Sequence, residues 1–188
     1  MAMDQKTFEL FEESDRGSVI VAAALLEDDL YGLIKAVTQK NRLSRRHSDE
    51  MFDLNGPASS FSSKCLICYA FGLISKEIFE DLTQIRRLRN KFAHSSHPID
   101  FLSPEIEDQI AAIHCCIAAS ALFTGTMFKG RGQKQSAEVN PEVKLADWEL
   151  RSKGFVKYTK AVFCMGIGLL REKISNFRPD ATSASDGD

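Results

Sequence analysis

"SVIVAAALLEDDLYGLIKAV", Ser18 to Val37, decides the fold class. Its apolar residues Val19, Ala22, Ala23, Leu26, Leu30, Leu33, Ile34 and Val37 recur at steps of three and four. At about 100° of rotation per residue they fall in one stripe, which predicts an amphipathic helix of about six turns. Ser14 or Asp15 is placed to cap its start, because a short polar side chain accepts from the free N–H groups of a first helical turn. Ahead of it, Phe8, Leu10 and Phe11 predict a short leading helix.

Outward from this helix the period stays helical. Lys40 to Asp49 reads as a basic, polar connection, and its Lys40, Arg42, Arg45 and Arg46 are candidate nucleic-acid contacts. Asn55-Gly56-Pro57 is a turn. A helix is expected from about Ser59 to Phe71, with Gly72 as its stop. Ser75 caps the next, which carries Ile78, Leu82, Ile85 and Phe92 on one face. Pro98 and Pro104 bracket a break, and Ile106, Ile110, Ile113 and Ile117 predict one helix ending near Gly125. Residues 129–147 form a polar loop, and Trp148 to Phe177 is the last helix. Gly166 and Gly168 inside it weaken the helix, a cost that close approach to a neighbour explains. Residues 178–188 are a tail disordered by composition. With no strand pattern and no internal repeat, the expectation is an all-α, single-domain bundle of five to seven helices over residues 1–177.

The bulk composition agrees with one domain, since 188 residues at 44% hydrophobic and 27% charged suffice for a full core. A formal charge of −2 argues against a general binder of nucleic acid or anionic membrane and leaves room only for a local patch. Met1 to Leu10 lacks the apolar region of a secretory signal, and no apolar run is long enough to cross a bilayer. A cytoplasmic protein is expected. Five cysteines, an odd number with Cys115 and Cys116 adjacent, do not make a disulfide framework. Cys65-x-x-Cys68 alone has a zinc-like spacing; no second such pair exists, and His94 and His97 are the candidates to complete a set. Buried thiols are the expectation, with no metal and no cofactor.

"RLRNKFAHSSH", Arg87 to His97, holds the polar residues that invite a function. Measured from Ile78, Arg89 falls about 20° around the wheel, inside the apolar stripe. A charge buried there requires a partner. Asp15 lies within the apolar arc of the long helix, Glu27 and Asp29 flank it, and Asp28 points outward. An internal ion pair between Arg89 and one of Asp15, Glu27 or Asp29 is therefore expected, because a guanidinium fork takes a carboxylate by two bonds. Asn90 and His94 are one turn apart and finish the helix end. Arg89 and His94, about 140° apart, diverge unless a second subunit supplies the other half of a site.

"EESDRGSVIVAAALLEDDL" (Glu12 to Leu30) and "FDLNGPASSFSSKCLICYAFGLISKEIFEDLTQIRRLRNKFAH" (Phe52 to His94), in that order, resemble the mannitol operon repressor family of bacteria. The resemblance runs from about Leu10 to Ile117 and loosely beyond. It implies an all-helical transcriptional regulator. In such a regulator we expect Asp15, Arg16, Glu27, Asp29 and Arg89 to form an internal or interfacial polar network. Arg89-Asn90-x-x-x-His94 also resembles the Arg-x4-to-6-His motif of HEPN domains. That resemblance implies a metal-independent ribonuclease assembled across a dimer, with His94 moving the proton and Arg89 balancing phosphate charge.

A DNA-reading hairpin is the remaining possibility for a regulator. "CLICYAFGLISKEIFEDLTQIRRLR" (Cys68 to Arg89) has the shape of a helix-turn-helix, but its second helix starts with Lys76, Glu77, Glu80 and Asp81. Three acids facing a polyanion argue for an ordinary αα hairpin. The sequence thus predicts a homodimeric regulator that works through a protein partner, with no membrane, and a ribonuclease using Arg89, Asn90 and His94 as the alternative.

Overall fold

The computed structural model describes residues 4–124 and 158–176. Among them lie eight helices and no strand, so the all-α expectation holds. They are α1 (Gln5–Glu9), α2 (Asp15–Lys40), α3 (Arg45–Phe52), α4 (Phe61–Ala70), α5 (Lys76–His94), α6 (Pro104–Ile110), α7 (His114–Thr124) and α8 (Tyr158–Asn176). The count exceeds the expected five to seven for two reasons. The Lys40–Asp49 connection is in part a helix, because Ser44 caps His47 N–H and the first-turn arginines reach acids one turn on. The isoleucine run is in two pieces, because the chain turns at Ala111–Ala112 and restarts at His114.

That restart has an unusual cap. No residue next to His114 supplies it; Asp81 of α5 does. Its carboxylate accepts from His114 N–H at 2.8 Å, Cys115 N–H at 2.9 Å and the His114 ring at 2.9 Å. Asp81 is 1% exposed, so these bonds replace its lost hydration.

The long helix α2 is the central element, packing on α4, α5 and α8, while α7 lies along α8. Ser14 caps it, its side chain accepting from Gly17 N–H at 3.0 Å. Val19, Ala22, Ala23, Leu26, Leu30 and Ile34 of the predicted stripe are buried, and Leu33 and Val37 are half-buried. They meet Ile78, Leu82, Ile85 and Phe92 of α5, all buried as expected. Phe101 bridges this layer to α8, its ring 5.8 Å from Phe92 and 5.4 Å from Phe163. Gly72 ends the α4 hairpin at φ +65°, a left-handed backbone conformation that L side chains rarely adopt. Gly166 lets α8 touch α7: a β-carbon there would lie 2.9 Å from Cys116 Sγ and 3.1 Å from Cys116 Cα. The expected loop 129–147, the start of the last helix at Trp148 and the tail 178–188 lie outside the described residues. No described helix is long and apolar enough to cross a membrane.

Candidate functional site

The cleft between α2, α4 and α5 gathers three of the polar residues that the sequence singles out, Glu27, Arg89 and Asn90. Its volume is about 440 Å³. From α2 it takes Ile20, Ala23, Ala24 and Glu27. From the start of α4 come Ser60, Phe61 and Ser62, and from α5 come Arg86, Arg89 and Asn90. Arg86 and Arg89 are one turn apart and so share a face of α5. Arg86 Nη1 donates to Ser62 Oγ at 2.7 Å, and Arg89 Nη1 donates to Asn90 Oδ1 at 3.1 Å. Glu27 is held by Lys64, whose Nζ donates to it at 2.6 Å and lies 3.5 Å from the Ser59 carbonyl oxygen. Lys64 is 7% exposed; pairing with Glu27 offsets the cost of burying its ammonium.

The expected burial of Arg89 is a correction. Arg89 is exposed and makes no ion pair with Asp15, Glu27 or Asp29. The reason lies in the period of α5. Ile78, Ile85 and Phe92 step by seven, and a seven-residue stripe slips by about 20° per repeat on a straight helix. By the last turns the core side is centred among the buried Ile85, Leu88 and Phe92, and Arg89 is about 65° away from that centre.

The proposed five-residue polar network is likewise dispersed. Asp15 Oδ2 accepts from Phe101 N–H at 3.0 Å, fixing the chain beyond α5. Arg16 Nη2 donates to the Ser95 carbonyl at 3.1 Å, at the C-terminal end of α5 where a cation is favoured. Asp29 does form the expected bidentate pair, but with Arg171 of α8, at 2.7 and 3.1 Å. Arg171 also donates to Asp4 at 2.6 Å and Thr7 Oγ1 at 2.8 Å, so one guanidinium ties α1, α2 and α8. The hydrogen bond to Asp29 is the main cause of the raised Arg171 pKa. Burial pushes the Asp4 pKa up, but bonds from Thr7 and the nearby Arg171 charge outweigh it and hold the carboxyl below its ordinary value.

Arg89 and Asn90 of the ribonuclease alternative share the cleft, while His94 is exposed and is not part of its lining. Lys40 closes α2, Arg42 sits in the left-handed region at φ +56°, and Arg45 and Arg46 pair with Asp49 and Glu50 along exposed α3. Cys65 and Cys68 turn inward, and burial pushes both thiols up to about 12.

Lys64, Arg86 and Arg171 are the polar residues that sequence reasoning missed. Lys64 had a signal, since it precedes buried Cys68 by one turn and so shares its inward face. Arg171 had none, its partners being 142 to 167 residues away.

Three likenesses accompany this geometry. A family model described as "Mannitol repressor" matches residues 5–140. Over 104 residues the chain is 26% identical to the mannitol operon repressor of Escherichia coli strain K12, and equally so to that of Escherichia coli O6:H1 strain CFT073. The match covers 55% of this chain and 53% of each relative, so the chain spans about half the length of the curated relatives it matches. A chain of the X-ray structure of the MtlR–HPr complex from Escherichia coli aligns over 92% of this chain and 99% of its own length, with TM-score 0.63 and 19% identity. At that identity the likeness concerns the fold.

Proposed function

The chain belongs to the mannitol repressor family, and on that footing we propose that it is a transcription regulator acting through a protein partner. The family match over residues 5–140 carries the reading. The structural neighbour was solved in complex with HPr, which supports a protein as the partner class.

The α4–α5 hairpin supports partner action over direct reading of DNA. The residues at the start of α5 that a recognition helix would offer to a groove are engaged within the chain. Glu77 pairs with Lys173 at 2.7 Å, Lys76 with Glu80 at 3.7 Å, and Asp81 is buried as the cap of α7. Every charge of that turn is thus matched or buried, which leaves no basic surface there to attract a polyanion.

A symmetric dimer belongs to the same proposal. The test is a titration of the purified chain with HPr by calorimetry, beside a mobility-shift salt series with DNA upstream of the mannitol operon. Saturable heat with HPr and DNA retention that salt abolishes without sequence preference are expected. Tight, sequence-selective binding to the DNA by the chain alone overturns the partner-mediated reading. A monomer by light scattering at micromolar concentration removes the dimer.

A further inference from the structure

The α2–α4–α5 cleft has a ligand chemistry of its own. Two guanidiniums, Arg86 and Arg89, stand one turn apart on its α5 wall. The one acid of the lining, Glu27, is already neutralised by Lys64 at 2.6 Å, so the field inside is positive. Planar guanidinium forks suit the tetrahedral oxygens of a phosphoryl group, and two of them match a dianion. The start of α4 faces the same space and adds the positive end of its dipole. The remaining wall of Ile20, Ala23, Ala24 and Phe61 is apolar, and the volume of about 440 Å³ exceeds what a bare phosphate fills. Asn90 and Glu27 are left to hydrogen-bond polar groups of the rest of the ligand.

We propose that this cleft binds the phosphoryl group of a phosphomonoester, with Arg86 and Arg89 as its ligands. The site is independent of the regulatory reading, since neither HPr nor DNA enters its derivation. It makes use of Arg89 as an exposed cation, the state in which a guanidinium can exchange its Asn90 contact for a phosphate.

Calorimetric titration of the full chain tests this, with inorganic phosphate and glycerol 3-phosphate at ionic strength fixed by KCl. A third arm uses N-acetylphosphoserine amide, which separates a free metabolite from a phosphorylated side chain as the source of the group. One saturable site is expected, roughly tenfold weaker in Arg89→Ala and in Arg86→Ala, with Arg89→Lys between them and wild type. Tighter binding of glycerol 3-phosphate than of the serine ester assigns the site to a metabolite, and the reverse order to a modified side chain. Absence of saturable binding in all three arms, or equal affinity in wild type and both alanine variants, overturns the proposal. Either result leaves the HPr titration unaffected.

Discussion

Arg89 and Arg171 show how little a residue type says before its neighbours are known. Both are arginines on helices, but Arg171 has 15% of its side chain exposed and shares three partners, whereas Arg89 is exposed and, among the described residues, bonds Asn90 alone. Replacing Arg171 by Ala strands the Asp29 carboxylate, 22% exposed, and is expected to cost about 2–3 kcal/mol in urea unfolding. Arg89→Ala is expected to stay within about 0.5 kcal/mol of wild type. Equal stabilities for the two variants would refute this contrast. That Asp29 was one of three candidate acids for an arginine was legible in the sequence, because the aspartate flanks an apolar stripe. The identity of that arginine was not. Helical period fixes which side of its own helix a residue occupies, and the partner is chosen by how distant helices dock.

At the scale of the element, the helices whose caps are local were readable. Ser14 and Ser75 announce α2 and α5, and the structure gives both the capping bond expected of them. The division between α6 and α7 was not readable, because the residue that caps α7 belongs to α5, 33 positions earlier. Asp81→Ala removes three hydrogen bonds at once and leaves the His114 and Cys115 N–H groups without their acceptor. A loss of about 2–3 kcal/mol is expected, with Asp81→Asn milder because its amide oxygen still accepts. Amide hydrogen exchange should show the first turn of α7 opening faster in the alanine variant. Unchanged protection there would mean that Asp81 does not hold that helix start. Basic α3 escaped notice for a related reason: its charges read as loop, while Ser44 and two pairs spaced by one turn were enough to form a short exposed helix.

Across the whole molecule, ion pairs from Arg171 and Lys173, near the C-terminal end of α8, join it to the rest of the bundle, and they carry a pH signature. Asp4 lies below its ordinary value of 3.8 and Glu77, bonded to Lys173, below 4.5. A carboxyl depressed by folding stabilises fully above its unfolded value, and that contribution fades as pH falls through the folded one. The melting temperature should therefore drop as pH falls below about 4.5, and the Asp4→Asn, Glu77→Gln double variant should show a shallower drop. Identical acid limbs would exclude these two groups as its source. The Arg171 clamp bears also on the order in which the chain is made. Asp29 is synthesised 142 residues before the arginine that holds it, an interval on the order of ten seconds at ordinary elongation rates. For that time the first two helices have no α8 to close over them, so the side of α2 that packs on α8 stays open to chaperones until Arg171 has been made.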